Sequence, residues 1–242
     1  MTLANNEYPK ASNATVIGAT LTYVAGLFLL LSFAGPYWIE SYPEMFSSFK
    51  RMGLWEYCFD RFRFPLYQFD KLFDGCHYIF SQEYYVIREW LVPGWLMSVQ
   101  AFVTLALILS FLAQIIVALV VIRWPLRIAL RYEWFFIFVV FICVTVSSIF
   151  LLMAVAIFGG NCYSRNWLLY PAFNVLSWSY AFAVVACILS GMAAILFYFE
   201  YCKLYELRQE ARNLVAQMHH SRPETALNQL RDQLQQQRQW NI

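Results

Sequence analysis

Four stretches of this chain contain no Lys, Arg, Asp or Glu: residues 11–39, 90–122, 134–164 and 166–199. Each supplies the ~20 residues that a helix rising 1.5 Å per residue needs to cross ~30 Å of hydrocarbon. Composition agrees, with 61% hydrophobic residues and 13% charged ones, against about 25% charged in an average soluble domain. The expected fold class is therefore an all-α transmembrane four-helix protein, with spans at about Val16–Tyr37, Leu96–Ile122, Trp134–Phe158 and Val175–Phe199. The apolar run from Thr15 to Ala34 is too long for the core of a cleavable signal, and Gly35-Pro36-Tyr37-Trp38 is no small-x-small cleavage site. The first helix is expected to remain as a signal anchor.

Three aqueous segments and two tails follow from these spans: residues 1–15, a long loop at about 38–92, a short middle connection, a second loop at about 159–172, and a tail at 200–242. Arg123, Arg127 and Arg131 crowd the middle connection, whereas the last short loop carries only Arg165. The excess of positive charge places the middle connection inside and both tails in the cytoplasm. An Asn13-Ala14-Thr15 sequon at the lip of the first helix is then expected to stay unmodified.

The long loop has to fold in water while tethered at both ends to a membrane. Trp55, Tyr57 and Phe59 alternate with Glu56, Cys58 and Asp60, the period of a half-exposed strand. Phe62 and Phe64 fall on the other parity after Arg61, which predicts a bulge or strand end there. Phe69–Phe73 and Cys76–Phe80 are expected as further strands, separated by a turn at Asp74-Gly75. The prediction is a small extracellular antiparallel sheet. Cys58 and Cys76 are the only cysteines in this loop, and on an oxidising side of the membrane they are placed to form a disulfide. Closing a loop of roughly 17 residues removes about 3 kcal/mol of chain entropy from the unfolded state.

The spans hold no ionisable Asp, Glu, Lys, Arg or His, the residues on which proton relays and transporter sites depend. Gln100, Gln114, Thr145, Ser147 and Ser148 read as hydrogen-bonding glue between or within helices. His77, His219 and His220 lack partners at metal spacing, and the six cysteines include no Cys-x-x-Cys. No catalytic set, metal or cofactor is implied. The net charge of +2, with its basic residues scattered, argues against nucleic acid. Cys162 stands alone in the second loop, either free or paired between chains, and Cys202 just inside the fourth span is a juxtamembrane thiol of the kind that carries palmitoyl chains. Beyond it, Leu204, Leu207, Leu214, Val215 and Met218 recur on one helical face, and Ser221-Arg222-Pro223-Glu224 reads as the start of a second tail helix.

Trp38, then Gly53-Leu54-Trp55, then Cys58 and a later Cys76 resemble the first-loop signature of the claudin-like tetraspan superfamily. The span order and larger first loop agree over residues 16–199, and the run from Trp90 to Trp95 with Gln100 looks like arthropod members found at septate junctions. The resemblance implies a left-handed four-helix bundle carrying an extracellular sheet, a cysteine pair bridging neighbouring strands, and a Gly-Leu-Trp turn resting near the first helix. It also implies lateral assembly, with copies of itself or other junction proteins, into strands that restrict paracellular diffusion at the plasma membrane. The Cys58 to Cys76 gap is longer than in typical claudins, so pore-lining positions do not transfer. The tail lacks the usual claudin ending, but Trp240-Asn241-Ile242 fits an apolar-x-apolar ligand for a PDZ groove. The expected function is a structural junction protein, not an enzyme; the alternative is an auxiliary subunit of a channel or receptor, as in other branches of the superfamily.

Overall fold

The computed structural model describes residues 11–42, 44, 46–64, 71–123, 126–164, 167–168 and 171–240, and at 127–130, 219–230 and 232–240 the backbone alone. Its frame is four long helices. α1 (Asn13–Ala34) starts where the Ser12 hydroxyl accepts the Thr15 N–H at 3.2 Å, and Pro36 lies just beyond its end. α2 (Arg88–Leu91) is one turn, and Pro93 then caps α3 (Gly94–Ile122). α3 ends on Arg123 in the left-handed conformation (φ 56°), and α4 (Leu126–Asn161) follows with a kink at Tyr132. α5 runs from Trp178 to Trp240. Four segments are long and apolar enough to span a membrane: Asn13–Ala34, Gly94–Ile122, Arg131–Asn161 and Trp178–Met218.

The lateral faces of these helices show which solvent they are built for. On α3, Val99, Val103, Ala106, Ala113 and Val117 are buried, while the outward Ile108, Ile115 and Ile122 are 58%, 62% and 72% exposed. An outer face as apolar as the inner one belongs in lipid. Hydrophobic burial between helices then adds little, and close approach and hydrogen bonds hold the bundle. Tyr23 donates to the Gln114 carbonyl at 2.9 Å and Ser147 to the Ala106 carbonyl at 2.9 Å, while the Ser148 hydroxyl lies 3.3 Å from the Cys187 carbonyl. A Cβ on Gly26 would fall 1.7 Å from the Gln114 amide nitrogen, so α1 and α3 meet where a side chain is missing.

Between α1 and α3 the chain forms four strands: β1 (Ile39–Ser41), β2 (Phe49–Met52), β3 (Glu56–Arg63) and β4 (Leu72–Tyr78). A fifth, β5 (Asn174–Leu176), comes from the segment before α5, and the antiparallel sheet has the order β4-β3-β2-β1-β5. The bulge after Phe59 is where the change of parity puts it: pairing passes from Phe59 with Gly75 to Phe62 with Phe73, and Arg61 takes φ 46°. Two expectations are corrected. Asp74-Gly75 is no turn; it lies inside β4, opposite the bulge, with Gly75 at φ 87°. Left-handed backbone is what both a hairpin turn and a bulge ask of glycine, so the dipeptide alone does not separate them. Val175, expected to begin the fourth span, instead pairs with Glu40, and α5 starts three residues later. The expected strand at Phe69 lies outside the described residues.

In the tail, α5 continues through Ser221 and Pro223 without a second start. Proline removes one helical hydrogen bond, and the Leu-, Gln- and Arg-rich flanks favour continuation on both sides.

Cys58 and Cys76 face each other across β3 and β4 and are disulfide-bonded. Replacing both by Ser is expected to destabilise the sheet by about 3 kcal/mol while the helices persist. Thermal melts in detergent, followed by near-ultraviolet and far-ultraviolet dichroism, should show the near-ultraviolet transition alone shifting down.

Candidate functional site

The sheet sits on one end of the bundle, and the Gly53-Leu54-Trp55 turn between β2 and β3 seats it there. Gly53 donates to the Glu56 carbonyl at 2.8 Å, and Trp38 to the Met52 carbonyl at 2.8 Å. A Cβ on Gly53 would lie 2.6 Å from the Gly35 carbonyl oxygen and 2.7 Å from Pro36 Cα. Both are backbone atoms with nowhere to move, so glycine serves here for approach. The buried Leu54 turns its carbonyl to α3, where the buried Gln100 amide donates to it at 2.6 Å. Gln100 is thus glue of a particular kind: it satisfies the turn's own backbone from within the bundle.

The two motif tryptophans do different work. Trp38 is fully buried; its indole N–H donates to the Ser32 carbonyl at 2.8 Å, and its ring meets Phe158 and Tyr180 at 4.8 and 5.8 Å. Trp55 is half-buried against Phe33, with centroids 5.3 Å apart. Its N–H has no acceptor among the described residues. The closely packed anchor is Trp38.

A second tie runs through the carbonyl of Leu91 at the end of α2. It accepts the Tyr57 hydroxyl at 2.6 Å and the Trp167 indole N–H at 3.2 Å. Tyr84 in turn donates to the Tyr57 carbonyl at 3.0 Å. One buried backbone oxygen therefore joins the first loop, the entrance to α3 and the second loop, and burial pushes the Tyr57 phenol well above its ordinary pKa. Trp95, Trp167 and Phe158 close the same core, with Trp95 and Trp167 edge to face at 4.6 Å. Nothing in the sequence marks Tyr57, Tyr84, Leu91 and Trp167 as a set. The density of aromatic residues in both loops is the only trace of it, because the shared acceptor is a backbone atom.

The remaining predicted positions fall as follows. Cys162 is fully buried with its thiol 3.2 Å from the Gly159 carbonyl, which takes it away from pairing between chains. Cys202 is half-buried on α5. The C-terminal pair Trp240 and Ile242 lies outside the described residues as far as side chains go. Glu56, Cys58 and Cys76 approach closely enough to share an ion, but sulfurs bonded to each other are not the thiolates that ligate metals.

A four-span membrane bundle that carries a disulfide-stapled sheet on one end defines the class of protein. The chain matches the PMP-22/EMP/MP20/claudin tight-junction family over residues 23–199, and it belongs to that family. It is a membrane protein of claudin fold, in a family that includes the claudins of tight junctions. A search of curated proteins finds no match.

Packing predicts an order of mutational cost. Trp38→Ala is expected to lower stability by about 3–5 kcal/mol, as for a fully buried aromatic. Trp55→Ala should cost clearly less, and Gly53→Ala, which drives a methyl into backbone, more than a typical surface change of about 0.5 kcal/mol. Denaturant melts of the purified variants would contradict this packing if Trp55→Ala proved the more damaging of the two tryptophan changes.

Proposed function

We propose that this protein is a structural component of septate-type cell junctions, assembling side by side in the plasma membrane to form or organise a paracellular diffusion barrier. The observation that supports this reading is the placement of exposed aromatic residues at opposite edges of the sheet. Near the β5 edge, Tyr42 and Phe173 are 50% and 39% exposed and joined by a backbone hydrogen bond of 3.1 Å, and in the connection from β1 to β2 Phe46 is 92% exposed. Beyond the β4 edge, Tyr78, Phe80 and Tyr85 are 52%, 48% and 65% exposed. Two unlike apolar patches on opposite sides suit a head-to-tail contact, which extends into a row instead of closing into a dimer. The ties at Gly53, Gln100 and Leu91 hold both patches on one rigid platform, and rigidity lowers the entropic cost of association.

In this reading the sheet faces outward, which gives the disulfide an oxidising compartment, and both tails face the cytoplasm. There Cys202 is the position for a palmitoyl chain, and Trp240-Asn241-Ile242 the ligand for a PDZ scaffold.

Two experiments test this reading. Phe46→Asp and Tyr85→Asp, each expressed in a polarised epithelium depleted of the native protein, are expected to reach the surface, fail to concentrate at cell contacts, and leave the layer leaky to a tracer. Normal concentration at contacts with a tight layer would refute the patches' role, and co-purification with a channel in place of a junctional belt would favour the auxiliary subunit. For orientation, the native sequon at Asn13 should give no mass shift on glycosidase treatment, whereas a sequon engineered near Asp70 should become glycosylated.

A further inference from the structure

The end of the molecule opposite the stapled sheet carries a constellation that the junctional reading does not use. Past Glu200, α5 continues beside the start of α4, just after the kink at Tyr132. Between them lies a cavity of about 190 Å³ lined by Trp134, Tyr205, Arg208, Gln209 and Arg212. The Arg208 guanidinium stacks on the Trp134 ring, 4.1 Å from its centroid, and Arg212 follows at i+4 on the same helical face. No carboxylate lines the cavity among the described residues, and Glu133, next to Trp134 in sequence, is bridged to Arg123 at 3.3 Å. The Gln209 amide is already committed, donating to the Tyr205 hydroxyl at 2.8 Å. The Trp134 indole N–H is buried and finds no acceptor among the described residues, where buried donors are as a rule paired.

A small cavity with two guanidinium groups and an unpaired N–H is complementary to an anion that offers several oxygens, and the planar arginine fork suits phosphate. Trp134, Tyr198 and Tyr201 place this level of the bundle in the aromatic belt, where phospholipid headgroups lie. We propose that Trp134, Arg208 and Arg212 bind the headgroup of a phospholipid of net negative charge, where the cationic choline of a zwitterionic lipid is repelled by the two guanidinium groups, fixing the α5 extension against the membrane surface. The inference rests on the orientation given above for its leaflet, since anionic lipids are concentrated on the cytoplasmic side.

The full chain, purified in non-ionic detergent and stripped of lipid, would be titrated with phosphatidylserine, with phosphatidylcholine of the same acyl chains, and with inorganic phosphate, and the complexes counted by native mass spectrometry. One phosphatidylserine site is expected, at least roughly tenfold tighter than for phosphatidylcholine. Arg208→Gln with Arg212→Gln should weaken it about tenfold or more, and Arg208→Lys by less, because lysine keeps the charge and gives up the planar stack. Lys203→Gln, an exposed position outside the cavity, should leave it unchanged. An intact Cys58–Cys76 disulfide and unchanged helix content certify the variants as folded. Equal binding of the two lipids, or undiminished binding by the double arginine variant, would overturn the site. Filling of the site by inorganic phosphate at the same concentration would assign a soluble anion and overturn the lipid. Binding in detergent does not depend on sidedness, so glycosylation at Asn13 would overturn the orientation alone.

Discussion

A sheet that folds in water has to be held rigidly to helices that live in lipid, and here that junction is made by backbone atoms. Gly53 lies against Gly35 and Pro36 with no room for a methyl, the Leu54 carbonyl takes its hydrogen bond from Gln100, and the Leu91 carbonyl takes two more from Tyr57 and Trp167. Buried carbonyls without partners cost about 1–3 kcal/mol each. Each of these bonds therefore excludes alternative seatings of the sheet as much as it stabilises the one observed. The disulfide acts on a different term: it limits the unfolded loop, whereas the carbonyl ties specify where the folded loop sits.

The second loop takes part in the same construction. It adds β5 to β1 through the pairs Ile39 with Leu176, Glu40 with Val175 and Ser41 with Asn174, and it sends Trp167 into the core beneath the first loop. Through these contacts the described residues of the second loop are built into the same unit as the first. Trp38 is the point where the layers meet, with its N–H on the last turns of α1 and its ring on residues of α4 and α5.

Much of this was legible from the residues. Uncharged runs of sufficient length mark the four spans, because the cost of charge in hydrocarbon leaves few exceptions, and the switch of parity at Arg61 marks the bulge. What escaped has a common physical cause. β5 is three residues long and exists only through its pairing with β1, so no local period announces it. Asp74-Gly75 carries the signal for left-handed backbone but not the reason for it. The Leu91 acceptor is invisible in a side-chain reading, and Gln100 looks the same as any intramembrane glutamine until its partner is known.

The division of polarity along the bundle bears on how such a molecule is used. At the sheet end, carbonyl ties consume the polar groups between sheet and helices, and exposed aromatic residues remain at the sheet's edges. At the other end, arginines and a long helix extend beyond the hydrocarbon, with the Arg123–Glu133 pair closing the turn between α3 and α4. The apolar lateral faces between these ends are at home in lipid and give little drive for neighbouring copies to associate. Contacts that order molecules into rows are then best made where water supplies the hydrophobic effect, at the edges of the sheet. On the proposed function this is the physical reason for placing recognition in the sheet, and it makes rigidity of the carbonyl ties a condition for both edges to be offered at a fixed angle.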